Sequence, residues 1–301
     1  MKSYENNSEA LTFLSQQKWE DAQRKMFENA KNNPCYQTFN NLGHFLITEG
    51  LTCKNGRTRN AFKIGIGYLK KSANIKKTST NAYALISALN VKKQCQQDCK
   101  ELEEYIYQYL EQILENEHSL TLKYNYLCLS YRLGKFSTNS IEALRSIVKE
   151  QTFSEATSLY LYVLQENGCT EESFELIKQH QAFLDEFDLF VIYLRLKRYE
   201  EAYSLCDKIY EFYSLNELLI VAIIECCIKN NDFLKAQKYS KLFFDKTSKD
   251  KEYRAFVLSK SKKSEAYRNN IISNYKFEPS LIESCGYFGC TSHRTGWEKE
   301  E

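Results

Sequence analysis

Tyr199-Glu-Glu-Ala-Tyr-Ser-Leu-Cys-Asp-Lys-Ile-Tyr-Glu-Phe-Tyr213 is matched 34 residues later by Phe233-Leu-Lys-Ala-Gln-Lys-Tyr-Ser-Lys-Leu-Phe-Phe-Asp-Lys-Thr247. Tyr199 pairs with Phe233, Ala202 with Ala236 and Ile209 with Phe243; in the segment before them, Leu189 pairs with Ile223 and Phe190 with Ile224. A recurrence of that length marks stacked helix–turn–helix units. Each unit is too small to bury its own apolar face, so its neighbours supply the rest of the core. An architecture of this kind is expected to serve as an interaction scaffold, and it does not name the partner.

Composition agrees with a helical reading. Two prolines, Pro34 and Pro279, and ten glycines in 301 residues leave long stretches free of helix breakers. With 43% hydrophobic and 27% charged residues, the chain has enough apolar surface to fold. A solenoid grows by adding layers, so this length does not require two separate cores. The net charge of +2 gives no broad attraction to nucleic acid or to an anionic membrane. Charge is uneven locally: Lys54 to Lys77 holds eight bases and no acid, and Glu101 to Glu117 six acids and no base. Solvated helix faces are the expected meaning, with an anion or acidic-peptide contact as the alternative. The first ten residues lack the apolar core of a secretion signal, and no later run is long enough to span a membrane, so a cytoplasmic location is expected. In a reducing compartment the eleven cysteines need not pair, and Cys128, Cys169, Cys206, Cys226 and Cys227 are expected to be small buried hydrophobes.

The N-terminal region repeats the theme. Ala10-Leu-Thr-Phe-Leu14 begins a short helix, and Trp19 to Ala30 forms a second that ends before Pro34. Ala22 and Ala30 with Phe27 between them are expected to give one packing face. Phe39-Asn-Asn-Leu-Gly43 follows, then Leu46 and Gly50. On these residues, Trp19 to Gly50 resembles the second helix of one tetratricopeptide repeat running into the first helix of the next. The pattern returns at Lys197–Tyr203 and Asn231–Gln237, and the resemblance covers about residues 8–245, weakly in the middle. Leu51–Arg59 reads as an insertion in the second repeat, because Gly65 and Ser72 fall late for the family spacing.

The resemblance implies an all-α, right-handed α-solenoid of about eight antiparallel helix pairs over 1–275, followed by a short irregular tail over 276–301. The predicted pairs after the second repeat are 79–92 with 95–116, 119–133 with 138–150, 153–167 with 171–180, 183–196 with 199–213, 216–229 with 232–245, and 250–260 with 264–274. The first helix of each pair would line a concave face that holds a peptide or protein segment. Asn40, Asn41, Tyr124, Tyr160 and Tyr193 are the candidate groove residues. The tyrosines in 105–109 and 124–131 must divide between core and surface, because adjacent helical positions face different ways.

No catalytic signature appears. His44, His118, His180 and His293 fall in no His-Glu-x-x-His pattern, and there is neither a Gly-x-Ser-x-Gly elbow nor a phosphate loop, so no enzyme is expected. His44, just after Leu42-Gly43, is expected on the helix surface. Cys95 and Cys99 would share one side of a helix, a spacing more consistent with chance than with a metal or redox pair.

The tail breaks the repeat with Cys285-Gly-Tyr-Phe-Gly-Cys290-Thr-Ser-His293 and Trp297. No cofactor is expected elsewhere in the chain. Here Cys285, Cys290 and His293 come within reach of a zinc site, although a fourth ligand is not evident. Otherwise the tail caps the last helix pair or inserts into the groove of its own solenoid, docking through Tyr287, Phe288 and Trp297. The leading function is a non-catalytic scaffold that binds a protein or peptide. One alternative is a peptide-responsive regulator lacking a DNA-binding head, because the repeats begin near residue 8. The other is a precursor or substrate whose cysteine-bearing tail is modified or processed.

Overall fold

Five turns share one closing geometry and thereby set the helix pairs. Gln17, Gly134, Gly168, Lys197 and Asn231 all have positive φ, between 56° and 73°. At each, the next residue's N–H reaches back to the carbonyl five positions before it: Lys18 to Phe13, Lys135 to Ser130, Cys169 to Leu164, Arg198 to Tyr193 and Asp232 to Cys227. A left-handed residue with these bonds satisfies the last carbonyls of one helix and turns the chain into the next.

A computed structural model describes residues 2–49, 58–95, 97–151, 154–180, 184–213, 217–247, 269, 272–273, 277–290 and 292–293. Among them lie fourteen helices and no strand: α1 (Lys2–Ser15), α2 (Trp19–Asn32), α3 (Tyr36–Thr48), α4 (Thr58–Ile75), α5 (Ser79–Gln94), α6 (Lys100–Ile113), α7 (Leu120–Arg132), α8 (Thr138–Glu150), α9 (Ser154–Glu166), α10 (Thr170–His180), α11 (Glu186–Arg195), α12 (Tyr199–Tyr213), α13 (Glu217–Lys229) and α14 (Phe233–Thr247). They form seven consecutive pairs. The expected eighth pair lies outside the described residues except for 269, 272 and 273, as do Leu51–Arg57 of the insertion and Trp297.

The chain divides into two units. Met1–Ile147 with Ser280–Glu301 forms the first, and Val148–Pro279 forms the second. In the second, α13 packs on both α12 and α14. Covered from two sides, Leu219–Ile224 and Cys226–Ile228 are all buried. The partner helices bury one stripe only: Ala202, Leu205, Cys206 and Ile209 on α12, and Ala236 and Tyr239 on α14. Ala202 and Ala236, the small residues of the repeat, have no exposed surface.

In the first unit, α3 and α4 cross at contact distance. A methyl at Gly43 would sit 2.8 Å from the Gly65 carbonyl oxygen, and one at Gly65 would sit 2.7 Å from the Ile47 side chain. Ser72 Oγ donates to the Tyr36 carbonyl at 2.8 Å, closing the same pair. The late placement of Gly65 and Ser72 therefore keeps α4 in register with α3.

Three local expectations are corrected. On α2 the buried stripe is Ala22, Met26 and Ala30, whereas Phe27 is 39% exposed. Positions four apart stack on one face, and Phe27 falls a further 100° round. Cys95 and Cys99 are not on a helix: they cap the end of α5 and the start of α6. The polar run Lys92–Asp98 has no apolar stripe to pack, and Asp98 Oδ1 instead accepts the Lys100 N–H at 3.0 Å. Cys169 is half-buried, unlike Cys128, Cys206, Cys226 and Cys227, because it follows the turn at Gly168.

The uneven charge is matched between elements. Lys70 of α4 lies 3.8 Å from Glu101 and over the Tyr105 ring. Arg132 pairs with Glu103, and Lys135 with Glu104. Lys71 and Lys76 lie over the rings of Phe39 and Tyr36. Of the tyrosines, Tyr109 and Tyr124 are buried, whereas Tyr107 and Tyr126 stack with ring centres 4.9 Å apart and remain half-exposed.

Candidate functional site

The first helix of each pair in the first unit carries a polar residue on its inner side, and these residues meet. Asn7 of α1, Asn40 and Asn41 of α3 and Asn81 of α5 are all buried. Asn41 donates to the Asn7 amide oxygen, Asn40 to that of Asn41, and Asn81 to that of Asn40 at 2.8 Å. Four buried amides cannot satisfy one another completely and must find further partners.

Asn81 donates also to the Leu69 carbonyl of α4 at 3.4 Å, and Asn7, Asn40 and Asn41 find their partners in the tail. Residues 280–288 cross the inner faces of α7, α5, α3 and α1 in that order. Asn125 of α7 donates to the Ile282 carbonyl at 2.9 Å and accepts its N–H at 2.8 Å. Asn41 does the same for Phe288, at 2.9 and 2.8 Å. Each amide thus engages both backbone groups of one residue, much as a neighbouring β-strand would. Asn7 also donates to the Phe288 carbonyl, Asn40 to that of Gly286, and the Tyr124 hydroxyl to that of Ser280. Every one of these bonds reads backbone and is indifferent to the side chain.

Side chains are held between these backbone contacts. The Phe288 ring meets Tyr36 edge-on with centres 5.4 Å apart, and Tyr287 meets His44 at 4.4 Å. The Tyr287 hydroxyl lies 3.4 Å from Thr48 Oγ1, and its burial raises the phenol's pKa. Glu283 accepts hydrogen bonds from Ser87 and Asn90 of α5. At Gly286 the tail lies flat on α5: an added methyl would stand 2.8 Å from the Ala84 Cα. Only glycine permits that approach.

His44 is buried against the tail, correcting the expectation that it lies on the helix surface. Desolvation lowers its pKa from 6.5 to about 4, so the imidazole is neutral at pH 7. Asn40, Asn41 and Tyr124 contact the tail backbone. Tyr160 instead donates to Glu172 of α10, and Tyr193 is buried with Arg198 of the following turn and Glu201 of α12 nearby. Asn7, Ser87, Asn90 and Asn125 were not singled out from the sequence. One signal was available: Asn7 and Asn41 stand 34 residues apart, one repeat length.

Beyond Phe288 the chain turns at Gly289, whose φ is +73°. The turn brings Cys285, Cys290 and His293 together, one donor atom of each within 4.8 Å of the others.

Comparison with solved structures identifies the class. A tetratricopeptide repeat protein from Parabacteroides merdae aligns over 86% of this chain and 99% of its own, with a TM-score of 0.51 and 13% identity. The tetratricopeptide domain of P58(IPK) aligns over 92% of this chain and 100% of its own, with 9% identity and a TM-score of 0.27. No protein-family model and no curated protein matches the chain. The fold is that of the tetratricopeptide-repeat proteins, an all-α architecture of stacked helix pairs. Among the described residues, no helix is long and apolar enough to cross a membrane.

Proposed function

We propose that the first unit is a non-catalytic peptide-binding module that grips an extended segment by its backbone, and that its resident ligand is the chain's own residues 280–290. The supporting observation is the pair of two-point contacts, Asn125 on Ile282 and Asn41 on Phe288. Each buried hydrogen bond contributes about 0.5–1.5 kcal/mol net, and each contact spares a buried amide the cost of being left unpaired. A segment from another protein would have to displace a tethered ligand at an effective concentration on the order of millimolar. The best competitor would carry Gly where Gly286 lies flat, an aromatic pair in place of Tyr287-Phe288, and an acid at the Glu283 position. The partner class is accordingly a protein or peptide in the cytoplasm, rather than nucleic acid or lipid.

Hydrogen–deuterium exchange tests this in the full chain. The Ile282 and Phe288 amides should be protected, and the N41A/N125A double variant should release both. A labelled peptide of residues 279–290 should bind the G286A chain more tightly than the wild type, and the N41A/N125A chain not at all. Free exchange at both amides in the unaltered protein would refute the reading.

A further inference from the structure

The fold assembles Cys285, Cys290 and His293 at the end of the docked tail. Cys290 Sγ stands 3.2 Å from His293 Nδ1, and the Cys285 sulfur is within 4.8 Å of both donors. Two thiolates on a tetrahedral zinc ion stand about 3.8 Å apart, and a thiolate and an imidazole nitrogen about 3.5 Å, so Cys290 and His293 already stand close enough to share an ion, and the Cys285 sulfur, within 4.8 Å of both, needs only a small approach. The convergence has a cause in the chain. Gly289, in a left-handed conformation, folds Cys290 back toward Cys285. Both cysteines also pack against the apolar cluster of α1, α2 and α3 that includes Phe45, Leu46 and Tyr287. That packing gives the sulfurs a dry, fixed side, while His293 stays exposed.

We propose that these three residues bind a soft divalent cation, zinc by the chemistry of the donor set, and that the ion fastens the tail in its groove. Two thiolates and one imidazole select zinc over magnesium or calcium, which take oxygen ligands. With three protein ligands, the fourth position is left for water or for an incoming donor. Binding releases the thiol protons to solvent and involves no oxidation. The ligands bracket Gly286–Phe288, the stretch held by Asn40 and Asn41, so the metal closes a small ring around the most deeply seated part of the tail. Any ion that prefers this ring stabilises the docked state by an amount that rises with the logarithm of its affinity. The clip rests on the docked tail argued above, whereas the ligand set stands on its own geometry.

The test is cobalt titration of the full chain, reduced with a phosphine and free of other metals. One Co²⁺ per chain is expected, with a thiolate charge-transfer band in the near ultraviolet and intense tetrahedral bands in the visible. C285S, C290S and H293A should each weaken binding by about tenfold or more. C95S/C99S should leave it unchanged. Zinc should displace the cobalt and slow exchange at the Phe288 amide. The proposal is overturned by absent bands or by bands that survive in C285S. Cobalt bands in a chain whose Ile282 and Phe288 amides exchange freely would uphold the site and sink the groove reading. Protected amides without bands would do the reverse.

Discussion

At the scale of single residues, His44 is the group whose chemistry is most exposed to a change of conditions. Its imidazole is held neutral by burial, with a pKa of about 4 against 6.5 for the free side chain, and its ring lies against Tyr287. The unfolded chain therefore binds the extra proton first as pH falls. The contribution is complete above the unfolded pKa, declines below it, and is exhausted near the folded pKa. The Tyr287 phenol is raised by burial and stays protonated throughout this window. Glu49, next in the chain to Thr48, has its carboxyl pKa raised by burial as well. Urea unfolding should show about 2 kcal/mol less stability at pH 5 than at pH 7.5 on account of His44. In H44Q that part of the pH slope should vanish. Equal slopes in the two proteins would show that His44 is not buried in solution. From sequence, His44 looked like surface, because what buries it is the tail, 243 positions away at Tyr287. Asn125 escaped notice for the same reason: its partner is Ile282.

At the scale of elements, the turns are where sequence and structure agree most fully. The 34-residue spacing predicted paired helices, and the left-handed turn residues Lys197 and Asn231 keep that spacing, as do Gly134 and Gly168. Ala202 and Ala236, one repeat length apart, are small residues that let a neighbouring helix approach, and both are fully buried. The turn between α5 and α6 was misread because Cys95 and Cys99 sit at helical spacing, while the residues between them offer no apolar stripe. Within the turns, Lys197 is costly: an L side chain in the left-handed region is strained, and glycine is not. K197G should raise stability by about 1 kcal/mol, less the extra freedom glycine gives the unfolded chain. N231G should gain less, because asparagine tolerates this region better than lysine does. Denaturant midpoints at unchanged slope would measure both. A loss of stability in K197G would mean that its side chain makes contacts worth more than the strain.

At the scale of the whole molecule, the tail changes how the repeats depend on one another. Stacked repeats couple to their nearest neighbours, so a terminal pair such as α1 and α2 ordinarily frays alone. Here one segment is bonded to Asn7 on α1, Asn40 and Asn41 on α3, Asn90 on α5 and Asn125 on α7, joining four successive pairs through contacts distant in sequence. Periodicity revealed the stack because each repeat restates it. It was silent on the strap, since a segment bound by its backbone needs no pattern of side chains. G286A isolates the effect: its methyl meets the Ala84 backbone of α5, which cannot swing aside as a flexible side chain would, and no helix is altered. In the wild type, the most protected amides of α1 should exchange together with those of α3 and α5, through one shared opening of the first unit. In G286A, α1 should exchange through its own faster fraying, α3 and α5 should lose less protection, and α11–α14 of the second unit should keep their rates. Exchange in α1 that is already independent in the wild type would show that the strap holds the tail without coupling the repeats. An equal loss in α11–α14 would show instead that the substitution acts by unfolding the chain as a whole.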